Sequence, residues 1–314
     1  MTRVAAIDIG TNSVRLLVAE PRPPGFRDVD RRLTITRLGE GVDTSGVLAP
    51  KAVARTLNCV AEYAAICGEL AVVELRVTGT SAVRDAGNRA ELFDGIQQLT
   101  GRGAEVLSGT DEARLTFLGA LSDLAGSDPA LVVDIGGGST ELMFGRTQPE
   151  HSVSLDVGCV RMLERHLRTD PPTPEELETL RADVRSALES IRQGFTPPPT
   201  TRLVGVAGTV TQLAALKAGI PVYDPDVTHH AVLSHGDVRM LARRLSSLSF
   251  EQRKQIRGLQ PGRADVIVAG AEILLAVMEV FDAAEVIVSE KDILDGLVLE
   301  LLGAPPKPDI SETL

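Results

Sequence analysis

Two decapeptides decide how this chain is read: DIGTNSVRLL, residues 8–17, and DIGGGSTELM, residues 134–143. Asp, Ile and Gly open both, a Ser stands five residues after each Asp, and Leu16 and Leu142 hold equivalent places. Each follows an apolar run of strand composition, 4–7 and 131–133, and each leads into another, 14–19 and 141–144. Strand, glycine turn and strand, twice over, predict two half-molecules of similar make-up. Glycine lets such a turn bring its backbone close to a ligand, and successive amides form an anion-binding concavity. An aspartate at the strand end cannot take phosphate itself, but its hard oxygens can hold Mg²⁺ or the ion's waters. Two such turns facing each other across a cleft would clamp a phosphate chain from both sides; the plain alternative is a pair of unrelated tight hairpins. No GK[ST] follows either turn, which excludes a P-loop. A strand rather than a helix follows each, which excludes a dinucleotide-binding fold.

The 314 residues suffice for two domains. Hydrophobic residues make up 43% and aromatic ones only 3%, with no Trp, so a large core is expected and must be built from Val, Leu, Ile and Ala. The net charge of −11 argues against a nucleic-acid surface. It would also repel a polyanion on average, so a phosphate ligand needs a local site of amides, metal and Arg. Cys59, Cys67 and Cys159 form no CxxC pair, and neither a disulfide framework nor structural zinc is expected. The first strand and turn begin at once, and the longest apolar stretches, 273–277 and 297–302, are too short or too interrupted to span a bilayer. The expectation is a cytoplasmic protein without leader, membrane or nucleic-acid partner.

Further strands are predicted at 34–38, 74–78, 104–107, 203–206 and 286–289. Helices are predicted at 51–69, 88–100, from an N-cap at Thr110 to 124, and at 173–195, 210–217, 263–281 and 293–302, with Gly208-Thr209 as a turn. Gly126-Ser127-Asp128-Pro129 is the best boundary, giving domains 1–125 and 126–295.

Seven blocks, DIGTNSVRLL, GTSAVRDAGN, LSGTDEARLTFLGA, VVDIGGGSTEL, DVGCVRMLERH, GVAGTVTQLAAL and LQPGRADVIVAGAEIL, resemble in order the signatures of the exopolyphosphatase and guanosine pentaphosphate phosphatase family, of the actin-like ATPase superfamily, in its short two-domain form. The resemblance runs from Ala5 to about Leu302, and the spacing of seven blocks is more specific than any one of them. It implies an α/β fold of two actin-like (ribonuclease H-like) lobes with a central interdomain cleft, the C-terminal helix (about 296–314) rejoining the first lobe. It implies a phosphate loop at Gly10, Thr11, Asn12 and Ser13 and a second at Gly136, Gly137, Gly138 and Ser139. Asp134 and Glu141, with Asp8, resemble the acids that hold Mg²⁺ (or Mn²⁺). Glu112 is similar to the catalytic glutamate that deprotonates the attacking water, Arg84 to the arginine that meets the terminal phosphate, and Gly208 and Thr209 would close the cleft from the second lobe. The implied activity is release of orthophosphate from the end of inorganic polyphosphate. Rivals are a guanosine pentaphosphate (pppGpp) 5′-phosphohydrolase using the same site, a non-catalytic polyphosphate or alarmone sensor, a sugar or acetate kinase and an actin-like filament protein; a homodimer is left open. One block departs: Asp292 and Leu294 stand where the family often has the Gly and Arg of a Gly-Leu-Arg run.

Read on their own chemistry, the same residues leave alternatives open. A carboxylate in a helix's first turn, as Glu112 is, gains about 0.3–1 kcal/mol from the helix dipole without any catalytic task. Arg84 could pair with Asp85, Asp134 and Glu141 could be turn and strand-edge acids, and Thr209 an ordinary N-cap. His229, His230 and His235 read as structural, the cysteines as core packing, and the basic residues of 161–168 as a solvated helix face.

Overall fold

The computed structural model describes residues 2–23, 25–126 and 128–303. Ser127 of the boundary turn and the part of the expected last helix beyond 303 lie outside the described residues. The chain divides into two compact units: unit 1 takes the residues up to Asp123 and again from Lys291, and unit 2 takes Leu124–Glu290.

Unit 1 runs β1 (Val4–Ile9), β2 (Ser13–Arg22), β3 (Gly25–Ile35), α1 (Val42–Ser45), α2 (Pro50–Glu69), β4 (Glu74–Gly79), α3 (Ser81–Asp85), α4 (Arg89–Thr100), β5 (Ala104–Val106) and α5 (Gly109–Leu121). The sheet order is β3-β2-β1-β4-β5, with β1, β2 and β3 antiparallel neighbours and β4 and β5 parallel to β1. The expected strand at 34–38 overlaps only the end of β3. That strand eluded the pattern because it carries charge: Arg27, Asp28, Asp30, Arg31 and Arg32 lie along an edge, where charged side chains are usual. The apolar residues of β1 alternate between two cores. Ala5, Ile7 and Ile9 pack with Tyr63 of α2 and Ile96 of α4. Val4 and Ala6 pack with Leu115 of α5 and with Leu297 and Val298 of the last described helix, Ile293–Leu301. Asp8 continues the second series, so strand alternation aims it toward the face that carries these two helices. They cross closely enough that a Cβ at Gly119 would lie 1.9 Å from Asp292 O, and one at Gly296 2.0 Å from Leu115 O. Only glycine fits at either position.

Unit 2 runs β6 (Ala130–Ile135), β7 (Thr140–Gly145), β8 (Pro149–Leu155), α6 (Cys159–His166), α7 (Pro174–Gly194), β9 (Arg202–Val206), α8 (Ala207–Ala218), α9 (Pro225–Thr228), β10 (Val232–Ser234), α10 (His235–Ser246), α11 (Phe250–Lys254), a 3-10 turn (Pro261–Arg263), α12 (Ile267–Val280) and β11 (Glu285–Val288); the helix Ile293–Leu301 is α13. Its sheet order, β8-β7-β6-β9-β11, repeats that of unit 1, with β10 added antiparallel at the edge of β11. The repeated order, three antiparallel strands followed by two parallel to the first, defines the actin-like (ribonuclease H-like) α/β fold. α7 opens with a capping box, the Thr173 side chain taking Glu176 N while the Glu176 side chain takes Thr173 N. The helix expected from 263 begins at Ile267, because Pro261 sets a 3-10 turn before it. Among the described residues no helix is long and apolar enough to cross a membrane.

Candidate active site

Both glycine turns are closed by the same bond, Gly10 N to Ser13 O at 2.9 Å and Gly136 N to Ser139 O at 3.0 Å. In unit 1 the turn's carbonyls are taken from behind by the chain leaving β3. Gly39 N donates to Thr11 O at 2.8 Å, and Thr36 N and Arg37 N donate to Asn12 O at 3.1 and 3.0 Å. A trans peptide sets N–H opposite C=O, so the amides of Asn12 and Ser13 lie on the other side of the turn. Asn12 Nδ2 is a buried donor with no hydrogen-bond partner among the described residues.

Counting outward from this turn brings Arg15 opposite Asp8 across β1 and β2. Arg15 Nε and Nη2 donate to Asp8 Oδ2 at 3.1 and 2.7 Å, and its Nη1 donates to Asp292 Oδ2 at the start of α13. Asp8 is 2% exposed, and its Oδ1 has no hydrogen-bond partner among the described residues.

Glu112 lies in the first turn of α5. That helix is capped by Ser108, which accepts from Asp111 N at 3.1 Å, rather than by Thr110 as the sequence suggests. Asp111 is exposed at the cap, and Glu112, the next residue, is 7% exposed. Arg84, at the end of α3, donates through Nη1 to Glu112 Oε2 at 2.9 Å and to Leu107 O at 3.2 Å. Burial pushes the Glu112 carboxyl above its ordinary value. Arg84 pulls it back down, the charge of Asp8 pushes it up and that of Arg15 pulls it down. Unit 1 thus pairs Glu112 with Arg84 and Asp8 with Arg15, which the sequence reading passed over, and the charges of the second pair act on Glu112.

In unit 2 the turn is backed by a helix start. Cys159 N donates to Gly136 O at 2.9 Å, Val160 N and Arg161 N to Gly137 O at 2.8 and 3.1 Å, and Arg161 Nε to Gly138 O at 2.6 Å. Three successive carbonyls face α6, so the amides of Gly137, Gly138 and Ser139 face away from it. A Cβ at Gly158 would lie 2.3 Å from Gly137 O and 2.4 Å from Gly138 C. Arg161 is therefore a brace for the turn rather than part of a solvated face. Asp134 and Glu141 are opposite one another across β6 and β7, 8% and 2% exposed, and Ser154 Oγ donates to Glu141 Oε1 at 2.7 Å. Two opposed, buried carboxylates are hard-oxygen donors of the kind a divalent cation takes, and the orphaned Asp8 Oδ1 is another.

Gly208 and Thr209 form no turn of their own; they belong to the first turn of α8, which starts at Ala207 with a left-handed φ of 64°. Thr209 is 3% exposed and packs on α12, where a Cβ at Gly270 would lie 2.6 Å from its Oγ1. The Arg263 guanidinium lies on Gly208, 2.0 Å from where a Cβ would be. Burial holds the Cys159 thiol up at about 11, so it is protonated at neutral pH. His229 and His230 stack ring on ring at 3.8 Å, and the Nδ1 of His229 accepts from Glu290 N.

A duplicated actin-like fold with paired glycine turns, buried acids and an arginine–glutamate contact defines a phosphate-handling protein. Residues 17–304 match the Ppx/GppA phosphatase family, and the chain belongs to that family. It is 40% identical to Exopolyphosphatase 2 of Mycobacterium tuberculosis, covering 96% of this chain and 99% of that one. It is also 33% identical to a bifunctional 3-dehydroquinate synthase/phosphatase of Fusobacterium nucleatum, over 94% of this chain and 46% of the longer protein. Among solved structures it resembles the Aquifex aeolicus Ppx/GppA family member, with TM-score 0.82, 32% identity and coverage of 98% and 99%. An exopolyphosphatase from Cytophaga hutchinsonii superposes with TM-score 0.88 at 27% identity, covering 97% and 99%.

Proposed function

We propose that this protein is an exopolyphosphatase that hydrolyses the terminal phosphoanhydride bond of inorganic polyphosphate. The observation that carries the proposal is the contact of buried Glu112 with Arg84, within electrostatic reach of Asp8, in a chain that matches Exopolyphosphatase 2 over nearly its full length. Glu112 is the general base. The water oxygen bonds to the terminal phosphorus while the bridging P–O bond breaks, its electron pair leaving with the shortened chain, and Glu112 takes the water's proton. Burial suits it to that task, because a carboxylate whose pKa is raised is a stronger base. Arg84 keeps Glu112 ionised and meets the terminal phosphate with its planar fork.

Phosphate oxygens are taken by the amides of Asn12 and Ser13 and of Gly137, Gly138 and Ser139, with the Asn12 amide side chain as a further donor; Gly10 and Gly136 close the two turns, and Thr11 is held by its backbone. Gly208 and Thr209 contribute the positive end of α8. A divalent cation, Mg²⁺ or Mn²⁺, held by the carboxylates of Asp134, Glu141 and Asp8, would supply charge neutralisation at the phosphates.

The test is incubation of the full chain with long-chain polyphosphate and Mg²⁺, reading free orthophosphate, with Glu112→Ala and EDTA alongside. Orthophosphate should be released by the wild type, fall by about a thousandfold in Glu112→Ala, and stop in EDTA. A folded, metal-supplied wild type that releases none sinks the proposal, and a higher kcat/KM on guanosine pentaphosphate would replace polyphosphate with the nucleotide.

A further inference from the structure

We propose that Asp292 is a positioning residue of the hydrolytic half-site: through Arg15 it fixes which oxygen of Asp8 is left open. The inference rests on the hydrolytic reading of unit 1 and concerns a position where the chain departs from the family's Gly-Leu-Arg run.

Arg15 directs two of its nitrogens to one oxygen of Asp8, Oδ2, at 3.1 and 2.7 Å. A guanidinium beside a carboxylate readily takes both oxygens as a two-pronged fork. Here the third nitrogen, Nη1, is held by Asp292 Oδ2, 277 positions away in sequence. That tether turns the fork edge-on, so Asp8 Oδ1 stays buried and without a partner among the described residues.

Asp292 is itself held firmly. Its Oδ1 accepts from Leu294 N at 3.0 Å, and its own N–H donates to Asp295 Oδ2 at 3.0 Å. Asp295 is gripped by Arg31 at 2.6 and 3.1 Å. Asp8, Asp292 and Asp295 are 2%, 6% and 0% exposed. Two arginines, Arg15 and Arg31, hold these three acids in a chain from the glycine turn to β3, and buried charges persist only when paired in this way. The two tight glycine contacts between α5 and α13 set where Asp292 sits, so the last described helix aims a side chain of the first strand.

Asp292→Asn and Asp292→Ser both keep an N-cap oxygen for α13 and remove the charged acceptor oxygen that tethers Arg15. In the purified full chain, both should lower kcat on polyphosphate about 10- to 100-fold, the usual cost of a misplaced reacting group. KM should stay within about twofold and Tm should hold. Arg15→Gln should lose at least as much, and the double variant Arg15→Gln/Asp292→Asn should lose no more than Arg15→Gln alone, because the effect travels through one side chain. Wild-type kcat in both Asp292 variants, losses that multiply in the double variant, or a kcat loss that appears only with a matching fall in Tm would each overturn the inference. An inactive wild type overturns the hydrolytic reading together with it; an active wild type with unaffected variants overturns this inference alone.

Discussion

In unit 1 the residue facing the leading aspartate across the hairpin is a base, Arg15; in unit 2 it is a second acid, Glu141. The turns between them are closed by the same bond at nearly the same length. Duplication has kept the geometry and reversed the charge. Unit 1 pairs an acid with a base within its own hairpin, whereas unit 2 sets two carboxylates, hard-oxygen donors, opposite one another. The backing of the turns differs as well. In unit 1 the carbonyls are taken by a chain segment that includes Arg37 at a φ of 52°, and in unit 2 by the amides of a helix start and an arginine side chain. Two supports for one loop indicate that the direction of the amides, rather than the means of holding them, is what both units preserve.

Copying the unit 1 pair into unit 2 with Glu141→Arg is the severest way to break this contrast. Hydrolysis should fall about a thousandfold, the scale of several kcal/mol of lost charge stabilisation, and added Mg²⁺ or Mn²⁺ should not restore it. Retention of metal-dependent turnover in a folded Glu141→Arg protein would show that the charge reversal is incidental. Gly158→Ala attacks the backing of the second turn. Its methyl must displace Gly137 and Gly138 backbone atoms now 2.3–2.4 Å away, at about 1–3 kcal/mol of stability, and kcat/KM should drop about tenfold or more as the amides turn. Unchanged kinetics would show the turn to be tolerant of its support.

The acid side of unit 1 is probed by pH. Because burial raises Glu112, the acidic limb of kcat/KM should lie above the usual carboxylate range, with activity lost as pH falls through it and Glu112 takes a proton. Arg84→Gln removes a cation that pulls this value down, so the limb should move to still higher pH; a limb that stays or moves down contradicts the pairing. Stability runs the other way. A raised folded-state pKa gives a contribution present in full below the unfolded value and lost as pH rises through the folded one. The smallest effect is expected from Asn12→Ala, which deletes one hydrogen bond to phosphate. KM should rise several-fold, for about 1 kcal/mol, with kcat little changed; a KM equal to wild type would remove Asn12 from the phosphate contacts.

The two hairpins were legible because each packs Asp, Ile and Gly between apolar runs, and once they are drawn the register follows by counting, which puts Arg15 and Glu141 in place. Glu112 and Arg84 were named through the resemblance, but their mutual bond was not readable, since it joins the end of α3 to the start of α5. Position 292 drew notice only as a departure from a family pattern. Its contact with Arg15 depends on how α13 docks through Gly119 and Gly296, and no local periodicity encodes that. β3 was hidden by edge charges, and Gly208-Thr209 read as a turn because a glycine beside a strand end looks alike whether the chain turns freely or enters a helix at once.

The return of the chain to unit 1 after Glu290 has a consequence for biosynthesis. Val4, Ala6 and Leu115 share one core with Ile293, Leu294, Leu297 and Val298. Unit 2 is contiguous in the chain, so unit 1 can complete this core only after the whole of unit 2 has been synthesised. The order of translation therefore leaves Asp292 unable to reach Arg15, and α5 without its partner helix, until the last described helix has been made.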